Sequence, residues 1–170
     1  MLERKIVGFY EAPLPEEYVS ETVWSCYWDA IFVYLVSIAQ LHNLLDGVTV
    51  NRNVGDPSVE GERDYLLWWN KLVLIVGEHN RDSRNLQISI NEIKAKHKGL
   101  NKTVYSGLQY ILAFATANSL IQFFMLPLPE KSNPIAISPI YDVRFANDKK
   151  IFIVGFFNML RWVVGVTPRP

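Results

Sequence analysis

A chain of 170 residues with 49% apolar and 20% charged positions has the material to bury one sizeable core, which excludes disorder as its main state. Its 17 Lys and Arg balance 17 Asp and Glu, so the overall positive field that marks many nucleic-acid binders is missing. The single cysteine, Cys26, excludes an intrachain disulfide, a CxxC redox pair and any zinc site built on two thiolates.

The first ten residues place Glu3, Arg4 and Lys5 ahead of a short apolar stretch, with no h-region or small-residue cleavage site. The expectation is a chain without a secretory leader, located in the cytoplasm or within a particle assembled there. Two stretches are greasy: 30–39 (AIFVYLVSIA) and 110–117 (YILAFATA), the second continuing to Leu126. Polar residues interrupt both, and each falls short of the roughly 20 apolar residues of a spanning helix, so both are read as core helices. A membrane-embedded accessory subunit, with helices over 23–45 and 105–126, is the alternative.

In chain order, Pro15 and the acidic pair Glu16-Glu17 open a helix over 16–45, which Asp46-Gly47 closes. At 100° per residue Val19, Val23, Cys26, Ala30, Tyr34, Leu41 and Leu45 form its apolar face, with Cys26 as an inert core thiol. The opposite, polar face also carries Trp28, Phe32 and Val36. A short strand over 47–50 and a loop over 51–57 follow, and Asp56-Pro57 then opens a short helix to about Trp69. The apolar run 72–76 and the strictly alternating 86–91 predict a β-hairpin over 71–91, with a long loop at 78–84. A continuous helix over 57–76 is the alternative.

Residues 94–101 form a basic connector, after which Asn101 caps a helix to Leu126 that Pro127 and Pro129 stop. The Pro- and Ser-rich 130–139 is a loop joining an edge strand. Alternation at Tyr141, Val143 and Phe145, turn chemistry at Asn147-Asp148 and the β-rich 151–157 predict a second hairpin.

The resulting fold class is α+β: two main helices packed on a largely antiparallel sheet built from two hairpins, with an all-α bundle as the alternative. The domain organisation is a single domain over 1–170, with extended arms at 1–14 and 167–170.

The sequence contains no GxxxxGK[ST] phosphate loop, no GxGxxG, no HExxH, no GxSxG and no calcium-loop spacing. His42, His79 and His97 have no histidine neighbour at helical spacing, and His42 suits a helix C-terminus. Residues 78–84 (EHNRDSR) crowd acid, imidazole, amide, hydroxyl and guanidinium together, a pattern that fits a solvated hairpin tip. Lys94, Lys96, His97, Lys98 and Lys102 make one basic run without interleaved aromatics, which fits a solvated connector better than a strand-binding platform.

No catalytic, metal or cofactor-binding residue and no cofactor is assigned on this reading. The aromatics are the most informative feature: Trp24, Trp28, Trp68 and Trp69 are the candidate interaction residues, since surface Trp anchors protein interfaces. The functional expectation is a non-enzymatic subunit of a larger assembly, of the kind found in viral or phage particles. Its partners would be copies of itself or neighbouring subunits, with no specific nucleic acid. An enzyme is the remaining alternative, and it requires His79 of the 78–84 segment to meet a carboxylate.

Overall fold

The computed structural model of the chain describes residues 14–15, 21–41, 48–55, 62–69, 72–80, 85–97, 108–128 and 133–166. Apart from Leu14, the expected arms at 1–14 and 167–170 lie outside the described residues, as do His42 and the charged 81–84. Two compact units emerge: Met1–Asp46 with Tyr141–Pro170, and Gly47–Ile140.

The first unit contains helix α1 (Glu21–Leu41) and helix α3 (Ala146–Val166). Both have apolar residues at 3- and 4-residue spacing, and their largest rings meet. Trp28 stacks on Phe32 at 5.9 Å and meets Phe152 edge-on at 5.8 Å, while Phe32 lies 5.3 Å from Phe156. Trp24 and Trp28 are therefore core residues of the chain, at 2% and 0% exposure.

The face of α1 is the reverse of the one expected. Trp24, Trp28, Phe32, Leu35, Val36 and Ala39 are buried, whereas Val23, Cys26, Ala30 and Val33 are exposed. The benefit of burial scales with apolar area, so the face with the large rings goes inside and the small and β-branched one is left out. Cys26 is thus an exposed thiol rather than a core one.

Helix α3 replaces the expected second hairpin. Over 151–160 the buried positions Phe152, Ile153, Phe156, Met159 and Leu160 follow a helical period. Asn147 and Asp148 form its first turn, and the Asp148 carboxylate accepts a hydrogen bond from the Asp142 backbone N–H at 3.1 Å. Asp142 in turn is gripped by the Arg144 guanidinium.

The second unit is a mixed six-stranded sheet in the order β1 (Val48–Gly55), β2 (Glu62–Trp69), β3 (Leu72–Asn80), β4 (Tyr110–Ala117), β5 (Leu120–Pro127) and β6 (Ile135–Ala136). The β3–β4 pairing is parallel and the others are antiparallel. A parallel pair needs a crossover. Helix α2 (Leu86–His97) lies between the two strands in sequence and supplies it.

The α+β class holds, with three helices and this mixed sheet among the described residues, and the all-α alternative is excluded. Several expected elements change identity. The helix expected over 57–69 is strand β2, since Tyr65, Leu66 and Leu67 pair with β1 on one side and β3 on the other. The helix expected over 101–126 is the hairpin β4–β5, which turns at Asn118 with a left-handed φ of 49°. Residues 111–117 are buried without exception, so β4 is a central strand covered on both faces, and its apolar run from Ile111 to Ala115 imitates a buried helix.

The strand expected over 86–91 is the first half of α2. Leu86, Ile90 and Ile93 recur at helical spacing, and the Asn85 side chain accepts a bond from the Gln87 N–H at 3.0 Å, capping the helix. Leu86 and Ile93 pack with Leu66, Val76, Ala113, Ala115 and Ala117, and the small side chains on β4 let α2 lie close to the sheet.

Candidate functional site at the C-terminal ends of β3 and β4

In an open sheet with parallel strands, ligands bind outside the carboxyl ends of those strands. Here β3 ends in Glu78-His79-Asn80, which pair with Ala115, Thr116 and Ala117 of β4. Glu78, His79, Asn80, Thr116 and Ser89 of α2 are all buried. A buried polar group costs free energy unless it is bonded, so this cluster needs an internal account of its partners.

Strand periodicity divides the cluster between two faces. Val76, Glu78 and Asn80 share the face on which α2 packs, while Gly77 and His79 occupy the other. On the α2 face the Lys96 ammonium donates to the Glu78 carboxylate at 2.6 Å. The glutamate side chain is wholly buried and the lysine side chain keeps 25% of its exposure. On the other face the His79 imidazole Nδ1 and the Thr116 hydroxyl share a hydrogen bond of 2.8 Å. Beside them the Phe114 ring lies over Gly77 and meets the Tyr65 ring at 5.4 Å.

Two side-chain bonds fix α2 over the strands and so place Lys96. The Asn80 amide donates to the Asn85 carbonyl at 3.1 Å, tying the end of β3 to the start of the helix. The Ser89 hydroxyl donates to the Thr116 carbonyl at 2.9 Å, tying the helix to β4. The site is thus a carboxylate held in a low-dielectric setting beside a partly exposed ammonium, on elements locked by hydrogen bonds. An ammonium of this kind can meet an anionic group such as a phosphate as a point charge.

Glu78 and His79, expected at a solvated tip, are strand residues in the interior. Lys96, expected in a solvated connector, is the partner of Glu78. Lys94 is exposed on the same helix, and the side chain of His97 and residues Lys98 and Lys102 lie outside the described residues. Of the candidate interaction residues, Trp24 and Trp28 are buried. Trp68 and Trp69 sit on β2 opposite Thr49 and Val48 of β1, after a bulge at Leu67/Trp68, and their side chains lie outside the described residues. The missed signal was the polar triplet 78–80 following the apolar run 72–76, where a central strand reaches its carboxyl end.

Among the described residues no helix is long and apolar enough to cross a membrane, and residues 110–127, half of the membrane alternative, form a hairpin. No three His, Cys, Asp or Glu among the described residues are grouped so as to hold a metal ion.

No protein-family model and no curated protein matches the sequence. Solved structures share its fold, among them a restriction endonuclease and a DNA-bound protein. The type IIG restriction endonuclease BpuSI superposes with a TM-score of 0.58 at 18% identity, over 91% of this chain and 18% of the endonuclease. A DrdV–DNA complex superposes with a TM-score of 0.52 at 15% identity, over 98% of this chain and 14% of the DrdV chain. The chain thus spans less than a fifth of either neighbour. These likenesses overturn the expectation of a non-enzymatic viral or phage particle subunit, and with it the exclusion of specific nucleic acid. At these identities what the chain shares with a restriction endonuclease and a DNA-bound protein is the fold.

Proposed function

We propose that the Gly47–Ile140 unit acts on nucleic acid as a nuclease-type module, with its centre at Glu78 and Lys96. The observation that carries this reading is the buried Glu78–Lys96 pair at the carboxyl end of the parallel strands, in a fold shared with BpuSI and DrdV. Structure-building alone rarely buries a carboxylate that completely, because desolvation offsets most of the Coulomb gain. Phosphodiester chemistry uses a carboxylate to position water and a cation to meet phosphate charge. The neutral whole-chain charge does not oppose this, since the site supplies its own local cation.

No three His, Cys, Asp or Glu among the described residues are grouped to hold a metal ion, so the reading rests on the chain's own side chains. Asn80 and Ser89 keep α2 over the strands, Glu78 holds Lys96, and the quarter-exposed Lys96 ammonium would meet a phosphate oxygen as a point charge.

The test is fluorescence anisotropy of the full chain with a labelled DNA duplex across a salt series. Binding that weakens with salt, and weakens further in Lys96→Gln irrespective of sequence, supports the reading. An absence of binding at low salt contradicts it.

A further inference from the structure

In the proposed site Lys96 has two anions to serve, and they lie in different directions. Its ammonium sits 2.6 Å from Glu78 Oε2, whereas a phosphate would reach it from the solvent that a quarter of its side chain meets. A lysine stem swings readily, so meeting a phosphate draws the ammonium off the carboxylate. Glu78 cannot follow, because its side chain is wholly buried and its strand runs between β2 and β4.

The charges packed around Glu78 decide what the departure costs. On β4 its register partner is the neutral Ala115, and on β2 the adjacent register position is Asp64, whose side chain lies outside the described residues. On α2 stand the neutral, buried Ser89, the exposed Glu92 one turn before Lys96, and Lys96 itself. His79 belongs to the opposite face of β3, with Thr116. Whatever polar contacts the carboxylate keeps, losing a full positive charge at this distance in a dry setting makes its negative charge costly. A proton removes that cost, and a wholly buried carboxyl can hold one up to about pH 8.

We infer that phosphate binding by Lys96 is coupled to proton uptake by Glu78, so that the site holds a phosphodiester more tightly as pH falls. This rests on the nuclease-type reading and assigns a regulation to its centre. The ammonium keeps its three protons and passes from carboxylate to phosphate, and the proton that Glu78 gains comes from solvent. The bonds of Asn80 and Ser89 hold α2 on the strands, which keeps the exchange local to the two side chains. The sign follows from linkage: the bound state carries one proton more, so affinity rises by up to about tenfold for each unit by which pH falls.

Calorimetry of a DNA duplex binding to the full chain, repeated at about pH 7 in buffers of different ionisation enthalpy, counts the protons taken up. Glu78→Gln and Lys96→Gln are the paired variants, with circular dichroism as the folding control. The parent takes up about one proton more than Glu78→Gln, whose ammonium is already released and which binds the duplex more tightly than the parent. Lys96→Gln, which has no ammonium to withdraw, shows the same background as Glu78→Gln and serves alone if that variant does not fold. Histidine titration is common to all three proteins and cancels in the difference. Equal proton uptake by the parent and a folded variant overturns the inference and leaves DNA binding standing; it is the result expected of an ammonium that bridges both anions. An absence of duplex binding by the parent removes the nuclease-type reading and the inference with it, so the two failures are distinguishable.

Discussion

The Phe114 ring lies across the backbone of Gly77, so that a Cβ built on Gly77 would fall 2.2 Å from the ring. β3 can have no side chain there, because the neighbouring parallel strand has already filled that space with an aromatic. Gly77→Ala therefore pushes Phe114 against Tyr65, which it meets at 5.4 Å. An overpacking loss of about 1–3 kcal/mol follows, read as a lower urea midpoint. An unchanged midpoint would show that the ring has another place to go.

The Glu78–Lys96 pair predicts unequal costs for its two partners. Lys96→Ala leaves a wholly buried carboxylate without its ammonium and costs about 1–3 kcal/mol, whereas Glu78→Gln lets the ammonium turn to solvent and costs less. The double variant is more stable than the sum of the two single losses implies. Urea unfolding of all four proteins as a double-mutant cycle measures this coupling, and additive losses would mean that the pair contributes nothing.

Tyr27 gives a prediction with a pH sign. Its hydroxyl is buried with no hydrogen-bond partner, and burial pushes its ionisation well above the ordinary value of 10.0. A phenol that must stay neutral in the folded state stabilises the fold below pH 10 and loses that contribution as pH rises above it, because the unfolded chain ionises first. Tyr27→Phe should be neutral or slightly stabilising near pH 7 and should lessen the decline of stability above pH 10. A large loss at neutral pH would mean that the hydroxyl has a partner after all.

The sequence made the α+β class legible, and also α1, the 72–76 strand and the concentration of chemical groups at 78–80. It misplaced elements where two periods fit the same residues. Leu86 to Asn91 alternate as a strand does, yet Leu86, Ile90 and Ile93 also mark a helix, and only Ala113, Ala115 and Ala117 across the interface decide for the helix. Ile111 to Ala115 are apolar without a break because β4 is buried on both faces, which removes the alternation that identifies a strand. Lys96 was out of reach of local reasoning, since it meets Glu78 only after the chain crosses from β3 into α2.

The tryptophans show the same dependence on tertiary context. Composition singled out Trp24 and Trp28 as interface anchors, but the rings sit in the interior beside Tyr27, and Trp28 also meets Phe152. Trp28→Ala should therefore cost about 3–5 kcal/mol of stability, seen in thermal or urea unfolding. A fully stable Trp28→Ala protein would contradict the packing of α1 on α3.

The central claim is that Glu78 belongs to a centre acting on nucleic acid. Its most direct test is conversion of supercoiled plasmid by the full chain in Mg²⁺, with Glu78→Gln as the paired variant checked for equal folding by circular dichroism. Nicking or linearisation by the parent chain, reduced at least a hundredfold in Glu78→Gln, is the predicted result. Equal cutting by both proteins, or intact plasmid with both, would contradict it.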